Sequence, residues 1–122
     1  GVTTKYLVLD SSNNVILTSS AAPGIETRNR RVISGDTTLA VDDYYIGINA
    51  AGNVKITLIA AASLPNGQTF TIKDEGGTAA SHTFTVSASA GETIDGVGEI
   101  TIPSSFASVS IYTDGASKYF IF

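Results

Sequence analysis

Residues 68–86, Gln-Thr-Phe-Thr-Ile-Lys-Asp-Glu-Gly-Gly-Thr-Ala-Ala-Ser-His-Thr-Phe-Thr-Val, constrain the fold more than any other stretch. Phe70 and Ile72 fall on one face of the first half, Phe84 and Val86 on one face of the second, with threonines between them. That two-residue period is the pattern of half-buried strands. The two halves read as a central strand pair. Their entry is marked by Leu64-Pro65-Asn66-Gly67, where proline cannot continue a ladder and Asn-Gly accepts the positive φ of a tight turn.

The same grammar runs through the rest of the chain. Strands are predicted over 32–34, 43–49, 53–59, 68–73, 82–87, 99–102, 108–113 and 118–122, separated by Gly35-Asp36, Gly52, Gly67, Gly76-Gly77, Gly91, Gly96, Gly98, Pro103 and Asp114-Gly115. Short strands at spacings of ~8–12 residues predict an all-β chain, an antiparallel β-sandwich or jelly-roll-like domain. Residues 60–63 have room for one helical turn before Pro65. Near the N-terminus, Lys5–Asp10 and Val15–Thr18 are β-prone runs joined by Ser-Ser-Asn-Asn, which predicts a hairpin. Two strands alone are marginal in water. The small residues 19–24, broken by Pro23-Gly24, mark a boundary. The expected organisation is therefore a hairpin arm and hinge over 1–34 and a β-sandwich domain over 35–122.

Composition excludes several classes. The 122 residues suit one core, and 43% apolar with 15% charged suits a folded, soluble chain. No apolar run approaches the ~18 residues of a membrane helix, and no secretory or myristoylation pattern is visible. Cysteine is absent, so disulfides and thiolate metal sites play no part. A net charge of −4 argues against nucleic acid as the partner, because phosphate binding needs a basic face. The charge is uneven: residues 1–34 carry +2 and residues 35–122 carry −6. Arg28, Arg30 and Arg31 supply most of the basic end. They read either as a solvated cluster or as an arm that meets an acidic partner.

The search for chemistry finds no convincing constellation. His82, the single histidine, lies in an alternating run with no triad partner in view and no nucleophile elbow elsewhere. Asp42-Asp43 and Asp74-Glu75 could offer oxygen ligands to calcium, but neither has EF-hand spacing. Asp95 and Glu99 form an imaginable glycosidase pair whose separation the sequence does not fix. Gly96-Val-Gly98 lacks a phosphate-loop lysine and reads as a turn. No catalytic residue, cofactor or metal site is expected.

The C-terminus is apolar on both sides. Tyr119 and Ile121 alternate with Phe120 and Phe122, so both faces of this strand should be covered, either inside the sandwich or by another subunit.

The succession Asp43-Tyr-Tyr-Ile-Gly-Ile48, Val54-Lys-Ile-Thr-Leu58, Leu64-Pro-Asn-Gly-Gln-Thr-Phe-Thr-Ile-Lys-Asp-Glu-Gly-Gly77, Glu92-Thr-Ile-Asp-Gly96, Ile111-Tyr-Thr-Asp-Gly115 and Tyr119-Phe-Ile-Phe122 resembles a β-domain of tailed-bacteriophage virion proteins. That domain recurs in capsid decoration proteins, head fibres, tail fibres and tailspikes. The resemblance covers 35–122. Two positions depart from it: Tyr119 stands where tryptophan is common, and Leu58-Ile59 where Leu-Pro is frequent. The resemblance implies a non-enzymatic structural protein on the outer capsid surface, a homotrimer whose partner is the major capsid protein. Under that reading Tyr6, Leu7, Val8, Leu9, Arg28, Arg30 and Arg31 bind the capsid, and Tyr119, Phe120, Ile121 and Phe122 form the subunit interface. The alternative is a receptor-binding tail-fibre or tailspike domain that recognises a host-surface glycan or protein.

Overall fold

The structure, a computed structural model, describes residues 28–122 and, before them, the backbone of two strands, β1 (Tyr6–Leu9) and β2 (Val15–Thr18). These pair antiparallel, Tyr6 opposite Thr18 and Leu9 opposite Val15, as the sequence predicts. The expected turn at 11–14 and the Pro23-Gly24 hinge lie outside the described residues.

From residue 30 onward the chain forms two sheets around one core. The larger has the order β3 (Arg30–Ile33), β5 (Tyr45–Ile48), β7 (Thr69–Asp74), β11 (Ser108–Thr113), β12 (Lys118–Ile121), β9 (Thr93–Ile94). The smaller has the order β10 (Glu99–Thr101), β8 (Phe84–Ser87), β6 (Val54–Thr57), β4 (Thr37–Thr38). A single 3-10 turn, Ala61–Ser63, sits where one helical turn was expected.

The fold is a sandwich, but it is not antiparallel. From β3 to β11 every strand belongs to the sheet opposite its predecessor. As far as β8, each pair of crossings returns the chain to its own sheet in its original direction. So β3, β5 and β7 run parallel, as do β4, β6 and β8. Antiparallel pairs remain at β7–β11, β11–β12 and β8–β10. Turn residues between alternating runs look the same for a hairpin and for an arch across the core, so the sequence predicts antiparallel neighbours where the fold has parallel ones. The same correction applies to the central pair. β7 and β8 are not hydrogen-bonded neighbours; they lie in different sheets, and the side chains of Phe70, Ile72, Phe84 and Val86 are all fully buried in one cluster between them.

Polar side chains from the arches continue the ladders. Asp36 Oδ1 accepts the Lys55 N–H at 2.8 Å, and Asn53 Oδ1 accepts the Thr83 N–H at 2.8 Å. Each turn thus supplies an acceptor to the strand that stacks beside it, which keeps backbone donors at the rim satisfied. The body also begins earlier than residue 35: β3 pairs with β5, and Ile33 is in the core.

Tyr119 occupies the core without remainder. Its hydroxyl donates to the Ile59 carbonyl at 2.6 Å, and burial, with the Glu92 charge adding, pushes its phenol up to about 12. Tyr119→Phe should leave that carbonyl unpaired and cost about 1–2 kcal/mol in denaturant unfolding. The raised phenol means stability is full below the ordinary tyrosine value of about 10 and is lost as pH rises through 12. Absorbance titration should show one late tyrosine that disappears in the variant.

Candidate functional site

Strand alternation decides what the larger sheet presents outward. Ile46 and Ile48 of β5, Phe70, Ile72 and Asp74 of β7, Ile111 and Thr113 of β11, and Tyr119 of β12 are buried. Their neighbours face outward: Tyr45, Thr69, Thr71, Lys73, Ser108, Ser110, Tyr112 and Phe120. Across the middle of this face Thr71 and Ser110 share a hydroxyl hydrogen bond of 3.0 Å. At its C-terminal corner the rings of Tyr112 and Phe120 are 5.4 Å apart, and those of Tyr112 and Phe122 are 5.6 Å apart. Phe122 is 68% exposed and Tyr112 is 39% exposed. Phe120 and Phe122 both pack on Tyr112, and together the three form an apolar patch of the kind that marks interaction sites.

This face carries Arg30 and Lys73 against Glu75, although the chain as a whole is acidic. Glu75 reaches over Gly47, where a Cβ would collide with its carboxylate, and accepts two hydrogen bonds from Arg30. The hydrogen bond from Arg30 holds the Glu75 carboxyl below its usual range and raises the guanidinium in turn. Gly47 thus leaves the room that the Glu75 carboxylate occupies. The Lys73 ammonium donates to the Phe106 carbonyl at 2.5 Å.

The expected capsid-binding arginines all engage the body. Arg30 pairs with Glu75; Arg31 makes a two-point contact with the buried Asp43 at 3.1 and 2.6 Å; the Arg28 guanidinium lies 4.8 Å from the centre of the Tyr44 ring. These contacts fasten residues 28–33 to the sandwich. Tyr6, Leu7, Val8 and Leu9 lie on β1, and their side chains are outside the described residues. Of the expected interface residues, Phe120 and Phe122 join Tyr112 at the patch, whereas Ile121, paired with the buried Ile111, lies on the opposite face and is 40% exposed. Tyr119 is fully buried within its own chain and supports the patch from behind. Tyr112 was missed, although its place on the face opposite Val109 and Ile111 was readable from alternation.

The carboxylate pairs do not behave as pairs. Asp74 points into the core and Glu75 outward, as adjacent strand residues must. Asp43 serves Arg31 and the Ala40 N–H, whereas Asp42 meets Asn29. Asp95, at φ 49°, accepts the Ile121 N–H at 3.2 Å. His82 lies in the turn before β8 rather than on the strand. Among the described residues no group of three or more His, Cys, Asp or Glu side chains comes together as a metal site would require.

Asp74 is the most constrained polar group. Its fully buried carboxylate accepts N–H groups from Gly77 at 2.9 Å, Ala79 at 2.8 Å and Phe106 at 3.1 Å. Burial would raise its pKa; the N–H groups of Ala79, Phe106, Thr78 and Gly77 together outweigh burial and hold it below the usual carboxylate range. No protein-family model matches the chain, and no curated protein is similar enough to count as a relative.

A depressed carboxyl contributes stability above its unfolded value of about 3.9, and that contribution is lost as pH falls through the lower folded value. Asp74→Asn should cost about 2–4 kcal/mol at neutral pH, because one amide oxygen cannot satisfy the donors that met two carboxylate oxygens. Its unfolding free energy should also fall less steeply than the parent's below pH 4, measured by urea titration.

Proposed function

We propose that the chain is a non-enzymatic structural protein of a tailed-bacteriophage virion, a homotrimer on the outer capsid surface that docks on the major capsid protein through its N-terminal hairpin. The observation that carries the assembly part is the Tyr112–Phe120–Phe122 patch, exposed on a face whose acid, Glu75, is paired with Arg30 while the chain as a whole carries −4. Copies of an acidic chain repel one another least where charge is already paired, and exposed aromatic clusters are what subunit interfaces bury. The sequence resemblance of 35–122 supports the virion assignment.

The hairpin supports the docking part. Among the described residues β1 and β2 make a two-stranded sheet that shares no ladder with the sandwich, and such a sheet offers edges to a partner strand. Arg28, Arg30 and Arg31 act in this reading by fastening the root of the arm to the body, so the pull on a docked hairpin is transmitted to β3 and β5.

The intact chain should scatter light as a trimer. Phe120→Asp should shift it toward monomer with little loss of thermal stability, because Phe120 is only half-buried. Deleting residues 1–18 should abolish binding to shells stripped of the protein, counted by sedimentation, while the remainder stays folded. Full occupancy by the truncated chain would place the anchor elsewhere.

A further inference from the structure

A second aromatic cluster lies toward the opposite edge of the larger sheet's outward face. The Tyr44 and Tyr45 rings meet edge-to-face with their centroids 4.6 Å apart, and the Arg28 guanidinium lies over Tyr44. Tyr45 is 43% exposed. Next to it, on β3, Val32 points outward because Ile33 is in the core, and it is 45% exposed. β3 has a ladder partner on one side only, so among the described residues its other edge is open.

One row of the ladder joins the two clusters. Arg30 pairs with Tyr45, Tyr45 with Thr71 and Thr71 with Ser110, whose carbonyl accepts the Phe122 N–H at 3.0 Å. The row therefore has an aromatic ring toward each side and two short hydroxyl side chains between. The other exposed large apolar residues are placed differently. Ile121 is on the opposite face, and Val41, Val97 and Phe106, the last at a φ of 63°, lie in connections between strands.

We infer that the Tyr44–Tyr45 corner receives the Tyr112–Phe120–Phe122 corner of a second copy of the chain, so that three larger sheets close a triangular prism with their outward faces turned to its axis. The inference rests on the trimer reading and adds which surfaces meet in it. Contacts around a threefold axis are head-to-tail, so a patch meets a different patch and each chain carries both. The two aromatic corners are such a pair, and they stand on opposite sides of the face, where adjoining walls of a prism meet.

The dimensions agree. The strands from β3 to β12 span four ladder spacings, about 19 Å. A triangular prism of that side holds each wall about 5–6 Å from the axis, close to half the ~10 Å at which packed sheets face one another. Only short side chains fit there. Thr71 and Ser110, hydrogen-bonded to each other at 3.0 Å, are what the middle of the row holds. Lys73 stands one row above them, its ammonium on the Phe106 carbonyl at 2.5 Å.

The chain contains no cysteine, so introduced thiols report contacts directly. Full chains carrying Tyr45→Cys, Phe122→Cys or both are treated with a short bismaleimide and run on a denaturing gel. The double variant should give a covalent trimer, and each single variant should stay monomeric on the gel. A covalent dimer from either single variant would mean that like meets like, and would overturn the proposal. Should Tyr45→Cys alone lower the light-scattering mass, Val32→Cys takes its place with the same expectations. A second variant tests the axis: Thr71→Trp should lower the mass threefold while circular dichroism stays that of the parent, and Thr71→Ser should leave the mass unchanged.

An unchanged mass in Thr71→Trp would overturn the prism. Absence of cross-linking in a double variant whose mass is trimeric would overturn the pairing of the two corners and leave the trimer reading intact. A monomeric parent would overturn both.

Discussion

Everything in this molecule depends on the apolar rows that meet between the two sheets. Phe70 and Ile72 come from β7, Phe84 and Val86 from β8, and all four are fully buried in one cluster with Ile46, Ile56 and Ile111. The chain reaches this arrangement by crossing the core at each turn, and from β5 to β8 each new strand extends a parallel ladder begun two strands earlier. Crossing leaves fresh backbone donors at the rim on every pass, and Asp36 and Asn53 supply acceptors there. The inward rows are held to apolar residues. The outward rows are not, and function has room only on them.

The two outward faces differ in kind. On the smaller sheet the outward positions are Lys55, Thr57, Thr85, Ser87, Glu99 and Thr101, a polar surface of short hydroxyls and isolated charges. The larger sheet has a hydroxyl pair at its centre, Thr71 with Ser110, an aromatic corner at one end and Phe106 at the other. Its acid, Glu75, is paired with Arg30. Surface ion pairs contribute little to stability. Their consequence here is to remove charge from a face otherwise suited to contact.

Strand positions were legible in the sequence because alternation is a local signal: the runs around Phe70, Phe84, Ile111 and Tyr119 all fall on observed strands. Pairing was not legible. Gly35-Asp36 and Gly76-Gly77 mark a reversal of direction, and nothing local distinguishes a reversal within one sheet from one across the core. The short strands β4 and β9 were missed for a related reason, since two residues cannot display a period. The arginine cluster looked like a free basic arm because its partners, Asp43 and Glu75, are 12 and 45 residues away. Phe106 gave no signal at all; its conformation is imposed by Asp74, 32 residues earlier. The C-terminal strand was legible in part. Alternation separated Tyr119 from Phe120 and Phe122 correctly, but only the fold shows that Tyr119 faces the chain's own core.

The account turns on whether the aromatic corner is covered in the assembled protein. Hydroxyl-radical footprinting of the intact chain, read by mass spectrometry at Tyr112, Phe120 and Phe122, addresses this directly. Labelling of all three is expected to be strongly suppressed at assembly concentrations and to rise together on dilution, while the exposed Val41 labels equally in both conditions. Full labelling of Tyr112 and Phe122 at every concentration, matching their exposure in the single chain, would contradict it.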